Sequence, residues 1–361
     1  RPAGVEGSGV LWTATYTVVA QEVAEADASI SIVFEDLASN DGVTVTDVTD
    51  SSVVTIDLTV PRFLAVSIIS SNVDDTKRAN AGDTITLSIT SSERIVPPLI
   101  TIAGQDALVS GSDVTWQGDY TIIAAEVSNG QASLLVVFED LASNAGVDIS
   151  AVMDTSVVTI DLDAPTLTAV TIVSSNAADT GRANGGDTIT VSITASENLV
   201  VPSVEIAGQA ATVVGLGTTD YSSAVSGEGT TFTATYVVVA AAVEEGDSSI
   251  NIVFRDLASN AGADVASMTD SSVVVIDLTP PTLPTVTIAS DNTADSTEAN
   301  AGDRITLSIE ASEDITPPTV QIADVDATVT GSGSSYSASV VVDANAVEGK
   351  ASLSITFKDT A

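Results

Sequence analysis

The string Asp-Leu-Ala-Ser-Asn puts a carboxylate and a carboxamide in one short loop, at Asp36 and Asn40, Asp140 and Asn144, and Asp256 and Asn260. Oxygens at that spacing serve one of two chemistries. They cap a turn, because Asp and Asn side chains accept hydrogen bonds from nearby backbone amides. Or they ligate a hard cation; calcium gathers about six to eight oxygens. Further acids recur in step with these: Asp57, Asp161 and Asp277, and Glu93, Glu197 and Glu313. The chain has no His and no Cys, which excludes disulfides, thiolate or imidazole metal sites and a Ser-His-Asp triad. Paired carboxylates can also act as acid and base on a glycoside. Here they return at matching places in each copy, and no copy carries an extra constellation, so the chain reads as a non-enzyme.

The charge balance narrows the partners. Ten Lys and Arg face 49 Asp and Glu, a formal net charge of −39. That field repels nucleic-acid phosphates and anionic membranes. With 16% charged and 44% hydrophobic residues the chain is still a folding sequence, so the acids must sit at discrete points on an apolar framework. No apolar run approaches the ~18 residues of a membrane helix. A buried Lys for a Lys–Asn crosslink is not repeated either: Lys77, Lys350 and Lys358 occupy unmatched positions.

The framework is a repeat. Gly-Asp-Thr-Ile-Thr begins at Gly82 and Gly186, and Gly-Asp-Arg-Ile-Thr at Gly302; Ile-Asp-Leu begins at Ile56, Ile160 and Ile276. Both series step by 104 residues and then by 116, and the extra length falls near 215–229. Aromatics keep the register: Trp12, Trp116, Phe232 and Tyr336, then Phe34, Phe138, Phe254 and Phe357. They read as core anchors. The organisation predicted is the back half of a repeat at 1–57, complete repeats at 58–161 and 162–277, and at 278–361 a repeat without its last strand. Such ends predict either a piece of a longer chain or ends completed by identical chains in a filament.

Within 162–277, Thr168–Ile172 and Ile189–Ile193 alternate apolar and polar residues, the period of a half-buried strand. Five more strands are predicted at Ser203–Ile206, Ala211–Val214, Phe232–Val239, Ser249–Phe254 and Ser272–Ile276. Seven short Val/Ile/Thr-rich strands in ~100 residues predict an all-β, immunoglobulin-like two-sheet sandwich. The joining segments, such as Leu58-Thr59-Val60-Pro61 and Leu278-Thr279-Pro280-Pro281, are short and stiffened by proline. They predict tandem domains in an end-to-end rod whose first partners are neighbouring repeats of the same chain.

In such a sandwich the loops after the second and sixth strands share the end where the chain enters. That gathers Asp57, Glu93, Asp140 and Asn144 at one junction; Asp161, Glu197, Asp256 and Asn260 at the next; and Asp277, Glu313 and Asp359 at the third. Calcium is the cation expected there, with turn capping the alternative. A second acidic loop holds Asn72, Asp75, Asn80 and Asp83, matched by Asn176, Asp179, Asn184 and Asp187. It fits an Asx-rich turn, with a metal the lesser alternative.

The pattern Ile-Asp-Leu-Thr-x-Pro, Gly-Asp-Thr-Ile-Thr, Ile-Ala-Gly-Gln and Phe-x-Asp-Leu-Ala-Ser-Asn resembles the bacterial Ig-like (Big-type) tandem repeats of large calcium-binding surface adhesins. The resemblance covers essentially the whole chain. It implies a stalk, calcium binding, and an extracellular place at the cell surface. A structural stalk or filament segment is thus expected. The alternative is a module that itself binds a glycan or another cell-surface target, for which the insertion near 215–229 is the feature that breaks the repeat.

Overall fold

The computed structural model describes residues 2–215 and 229–360. The insertion at 216–228 lies outside the described residues. The chain divides into two compact units, Arg1–Asp163 and Ala164–Ala361.

In the first unit, residues 63–160 fold as two facing layers. Four antiparallel strands form one sheet in the order Leu108–Ser112, Thr115–Thr121, Thr84–Ser91, Phe63–Ser70. Leu134–Val137, Leu99–Ile102 and Gln105–Asp106 form the second. A short ladder joins Gly130–Gln131 to Thr159–Ile160, and Thr159–Ile160 runs parallel to Arg78–Ala79. First, second, fifth and fourth strands in one sheet, third and sixth in the other, and a last strand parallel to the short Arg78–Ala79 strand that follows the first is the immunoglobulin arrangement. The cause is visible along Thr84–Ser91, where Ile85, Leu87 and Ile89 are at most 2% exposed while the residues between them point outward. Each such side chain contributes about 1.5–3 kcal/mol when buried. Facing them are Ile100, Ile102, Val136 and Phe138, and the Phe63 and Phe138 rings stack 4.1 Å apart.

Residues 2–57 of this unit carry two hairpins, Gly4–Ser8 with Leu11–Thr15 and Ala26–Asp27 with Thr55–Ile56. Among the described residues each remains a two-stranded sheet. Trp12 and Phe34, expected as core anchors, are therefore 59% and 52% exposed. Their counterparts Phe232 and Phe254 in the second unit are 1% and 4% exposed.

The second unit repeats the arrangement. Leu167–Ser174, Thr188–Leu199, Gly229–Val237 and Thr212–Gly215 make one sheet; Ser203–Ile206, Gln209–Ala210 and Ile250–Val253 make the facing one. Val275–Ile276 runs parallel to Arg182–Ala183. Further along, Thr285–Ser290, Arg304–Glu310, Ser335–Val341 and Thr328–Ser332 pair in the same order, opposite Thr319–Ile322, Val325–Asp326 and Leu353–Thr356. The molecule is thus a set of tandem immunoglobulin-like sandwiches. No helix among the described residues is long and apolar enough to cross a membrane.

The Asp-Leu-Ala-Ser-Asn turn carries a packing demand. A Cβ built on Gly146 would lie 2.2 Å from the Phe138 ring, and one on Gly262 would lie 2.1 Å from Phe254. Both rings are pinned in the core, so Gly146→Ala and Gly262→Ala are each expected to cost about 1–3 kcal/mol. Gly42 meets Phe34 in the same way, but that ring is half exposed and can swing aside. Gly42→Ala should leave the denaturant midpoint nearly unchanged, and equal losses at all three glycines would refute this account.

Candidate metal centre

Three elements deliver the acids of the first unit. Asp57 follows Thr55–Ile56, Glu93 follows Thr84–Ser91, and Asp140 follows Leu134–Val137. An isolated bridge between Ile95 and Asp140 ties the last two together, and Val96 N donates to Glu139 O at 3.0 Å. One carboxylate oxygen from each of Asp57, Glu93 and Asp140 lies within 4.8 Å of the others. Two oxygens on opposite sides of a cation, each about 2.4 Å from it, stand about 4.8 Å apart. The spacing therefore fits one shared ion. An open depression lined by Asp57, Thr59, Val60, Arg62, Ser92 and Glu93 gives solvent access.

Asp140 is 1% exposed. Its Oδ1 accepts from Ala142 N at 2.8 Å and Asn144 N at 2.9 Å, and its Oδ2 accepts from Asn144 Nδ2 at 2.8 Å. Asn144 Nδ2 also donates to Asp57 O at 3.1 Å. Turn capping thus accounts for the Asp140–Asn144 pair. Asp57 Oδ1 likewise accepts from Thr59 N at 3.0 Å, but capping does not account for Glu93 standing beside both carboxylates, where the charges repel. Partial burial raises the Glu93 carboxyl above its ordinary pKa of 4.5, and the charges of Asp57, Asp140 and Glu25 push it further.

The second unit builds the same group from Asp277, Glu313 and Asp359, again within 4.8 Å. Burial raises Glu313, followed by the charges of Asp359, Asp277 and Glu245, while Arg182 works the other way. Arg182 Nη1 sits 3.6 Å from Asp277 Oδ2. Asn176 Nδ2 donates to Thr360 O at 3.0 Å, so a loop of one repeat touches the next repeat beside this group.

Of the remaining expected set, Asp161 belongs to the first unit, where Arg78 Nη1 lies 3.7 Å from it. Glu197, Asp256 and Asn260 belong to the second. Asp256 is 1% exposed and accepts from Asn260 N and Nδ2, both at 2.8 Å. Glu197 lies inside a strand rather than in a loop, because Thr188–Leu199 runs past the point where Thr84–Ser91 stops.

The other acidic loop is an Asx turn. Asp83 Oδ2 accepts from Asn80 N at 2.9 Å, Asn72 Oδ1 from Asp74 N at 2.8 Å, and Asp75 Oδ1 from Lys77 N at 2.9 Å. Asp187, Asn176 and Asp179 repeat those bonds. These oxygens serve backbone amides.

Sequence reasoning missed Glu25 and Glu245, whose charges reach Glu93 and Glu313. Their signal is an acid in register 33 residues before Leu58 and Leu278, broken by Asn129 in the copy between.

No family model matches the chain, and no curated protein matches it. Among solved structures, the I9–I11 tandem from titin aligns over 78% of this chain and 91% of its own, at 10% identity and TM-score 0.33. The titin Ig tandem A164–A165 covers 61% and 97%, at 9% identity and TM-score 0.19. A Bacteroides ovatus protein of the mixed-linkage glucan utilization locus, SGBP-B in complex with a mixed-linkage heptasaccharide, covers 78% and 71%, at 13% identity and TM-score 0.17.

Proposed function

We propose that this chain is a segment of an extracellular stalk or filament of a bacterial cell-surface adhesin, and that calcium holds its repeats together at their junctions. The observation that carries the reading is the meeting of Asp57 with Glu93 and Asp140. Asp57 ends one repeat, while the other two belong to the next. A cation there would replace mutual repulsion by shared attraction and tie consecutive domains. The donor set is all oxygen, in a chain without His or Cys. That chemistry selects a hard cation over zinc or copper. Calcium tolerates irregular oxygen shells, whereas magnesium demands near-ideal octahedra.

Calorimetric titration with calcium, paired with limited proteolysis by a broad-specificity protease, tests the proposal. Saturable binding is expected, together with protection of the linkers around Val60 and Pro280 that EGTA abolishes. Absence of both would remove the calcium stalk.

The second reading is a module that binds a glycan or protein directly. One feature favours it. Leu99, Leu135 and Val137 stand exposed on the outer sheet face of 58–161 at 72%, 40% and 38%, where the next copy has Ser203, Asn251 and Val253. A glycan array probed with the isolated chain is expected to stay blank; a reproducible glycan signal would put the binding module in place of the stalk.

A further inference from the structure

The linkers are held at both ends by side chains that belong to no carboxylate group described above. Glu245 Oε1 accepts from Leu278 N at 2.8 Å and from Thr279 Oγ1 at 2.7 Å. Glu25 Oε1 makes the same two contacts, with Leu58 N at 3.0 Å and Thr59 Oγ1 at 2.6 Å. In the copy between, Asn129 does the equivalent work: its Oδ1 accepts from Leu162 N at 2.8 Å and its Nδ2 donates to Asp163 Oδ2 at 2.8 Å. Thus three linkers begin with an amide captured by the same register position, some 33 residues upstream.

The far ends are also tied. Ser92 Oγ accepts from Arg62 N at 3.1 Å while Ser92 N donates to Arg62 O at 2.7 Å. Ser312 repeats this with Thr282, at 2.9 Å and 2.8 Å. The tied residues adjoin the carboxylates: Asp57 and Asp277 precede the captured leucines, and Glu93 and Glu313 follow the serines. A linker fixed at these two points leaves little freedom for the carboxylates that adjoin them.

We propose that Glu25 and Glu245 are positioning residues: each pins the linker that leaves its own repeat, and thereby sets the Asp57 or Asp277 carboxylate in place for the junction cation. The pin needs an acceptor oxygen rather than a charge, since Asn129 supplies it with an amide. This role rests on the calcium reading for its consequence, but the pin itself does not.

The experiment uses the full chain with Glu245→Ala and Glu245→Gln. Amide exchange at Leu278, measured in EGTA, reads the pin without metal. It should quicken about three- to tenfold in the alanine variant and return close to the parent rate in the glutamine variant, as expected for loss and restoration of a hydrogen bond. Calcium affinity at the Asp277, Glu313 and Asp359 group should fall by a similar factor in Glu245→Ala and recover largely in Glu245→Gln. Unchanged exchange in Glu245→Ala overturns the pin. Faster exchange with unchanged calcium affinity overturns the positioning role. A glutamine variant that restores protection yet binds calcium as weakly as alanine also overturns it, since Glu245 would then act by charge alone. If the parent binds no calcium, the cation reading fails, and the exchange measurement still decides the pin.

Discussion

Calcium added to the metal-free protein is expected to raise the unfolding temperature of the repeats that carry the carboxylate groups, and EGTA should reverse it. A ligand bound only by the folded state stabilises it by about 2.7 kcal/mol when its free concentration is 100 times Kd. Each group brings three carboxylate oxygens within 4.8 Å, and Arg182 offsets only part of the repulsion beside Asp277, so without metal the folded state carries net repulsion. The pH dependence follows from the two raised carboxyls. Glu93 and Glu313 hold their proton more tightly when folded than at the ordinary 4.5. Ionising them therefore costs stability: metal-free protein loses stability as pH rises through their folded pKa, above 4.5, and regains it on acidification in that window. Protons and calcium compete for the same oxygens, so the calcium increment should shrink over the same window. The turn carboxylates run the other way. Hydrogen bonds from Asn40, Ser52, Ser156, Ser272 and Thr297 lower Asp36, Asp50, Asp154, Asp270 and Asp295 below 3.8. Their contribution is present above that value and is lost as pH falls through the lowered pKa. Calorimetric scans of protein dialysed free of metal, with and without added calcium, at neutral pH and near pH 5 check the calcium increment and the proton competition. No calcium shift at neutral pH would remove the structural role of the metal, and an equal shift at both pH values would remove the proton competition.

The strands were legible because their signal is local. Ile189, Val191 and Ile193 alternate with Thr and Ser, and all three are at most 1% exposed between outward-facing neighbours. Strand order then followed from seven such segments in one repeat. Trp12 and Phe34 had the same periodic signal and yet stand exposed, because burial needs a facing sheet, which periodicity does not report. The loop acids were legible as recurring oxygens. What each oxygen does was not, since Asp83 and Asp140 are the same residue type in similar Asx-rich strings. One serves amides in a turn, while the other also stands beside Asp57 and Glu93. The difference arises from contacts such as Asn144 to Asp57, which join positions 87 residues apart. Glu25 and Glu245 were hidden for the same reason, with Asn129 masking the register because an amide can supply the same acceptor oxygen.

Asp140 separates the turn from the cation, because two substitutions remove different things. In Asp140→Ala two backbone donors, Ala142 N and Asn144 N, lose their acceptor in a part-buried turn, while Asn144 Nδ2 keeps Asp57 O. Each unsatisfied buried group costs about 1–3 kcal/mol. Relaxation and entering water offset part of that, so a net loss of about 1–3 kcal/mol is expected even in EGTA. Asp140→Asn is milder. Its Oδ1 can still accept from the two backbone amides, so the turn survives, and only the contact with Asn144 Nδ2 becomes donor against donor. In EGTA the asparagine variant should even recover stability through Glu93, whose raised pKa reflects the Asp140 charge among its causes. In calcium the order changes. Removing one of three charges from a compact oxygen site should weaken binding by about 100-fold or more, the loss of a charge-assisted contact at close range. The calcium increment of that repeat should then vanish, while the Asp277, Glu313 and Asp359 group keeps its own, because damage in a tandem array stays local. Scanning calorimetry of parent, Asp140→Ala and Asp140→Asn, each with and without calcium, gives the comparison. An asparagine variant that responds to calcium as fully as the parent would leave the turn as the whole role of Asp140.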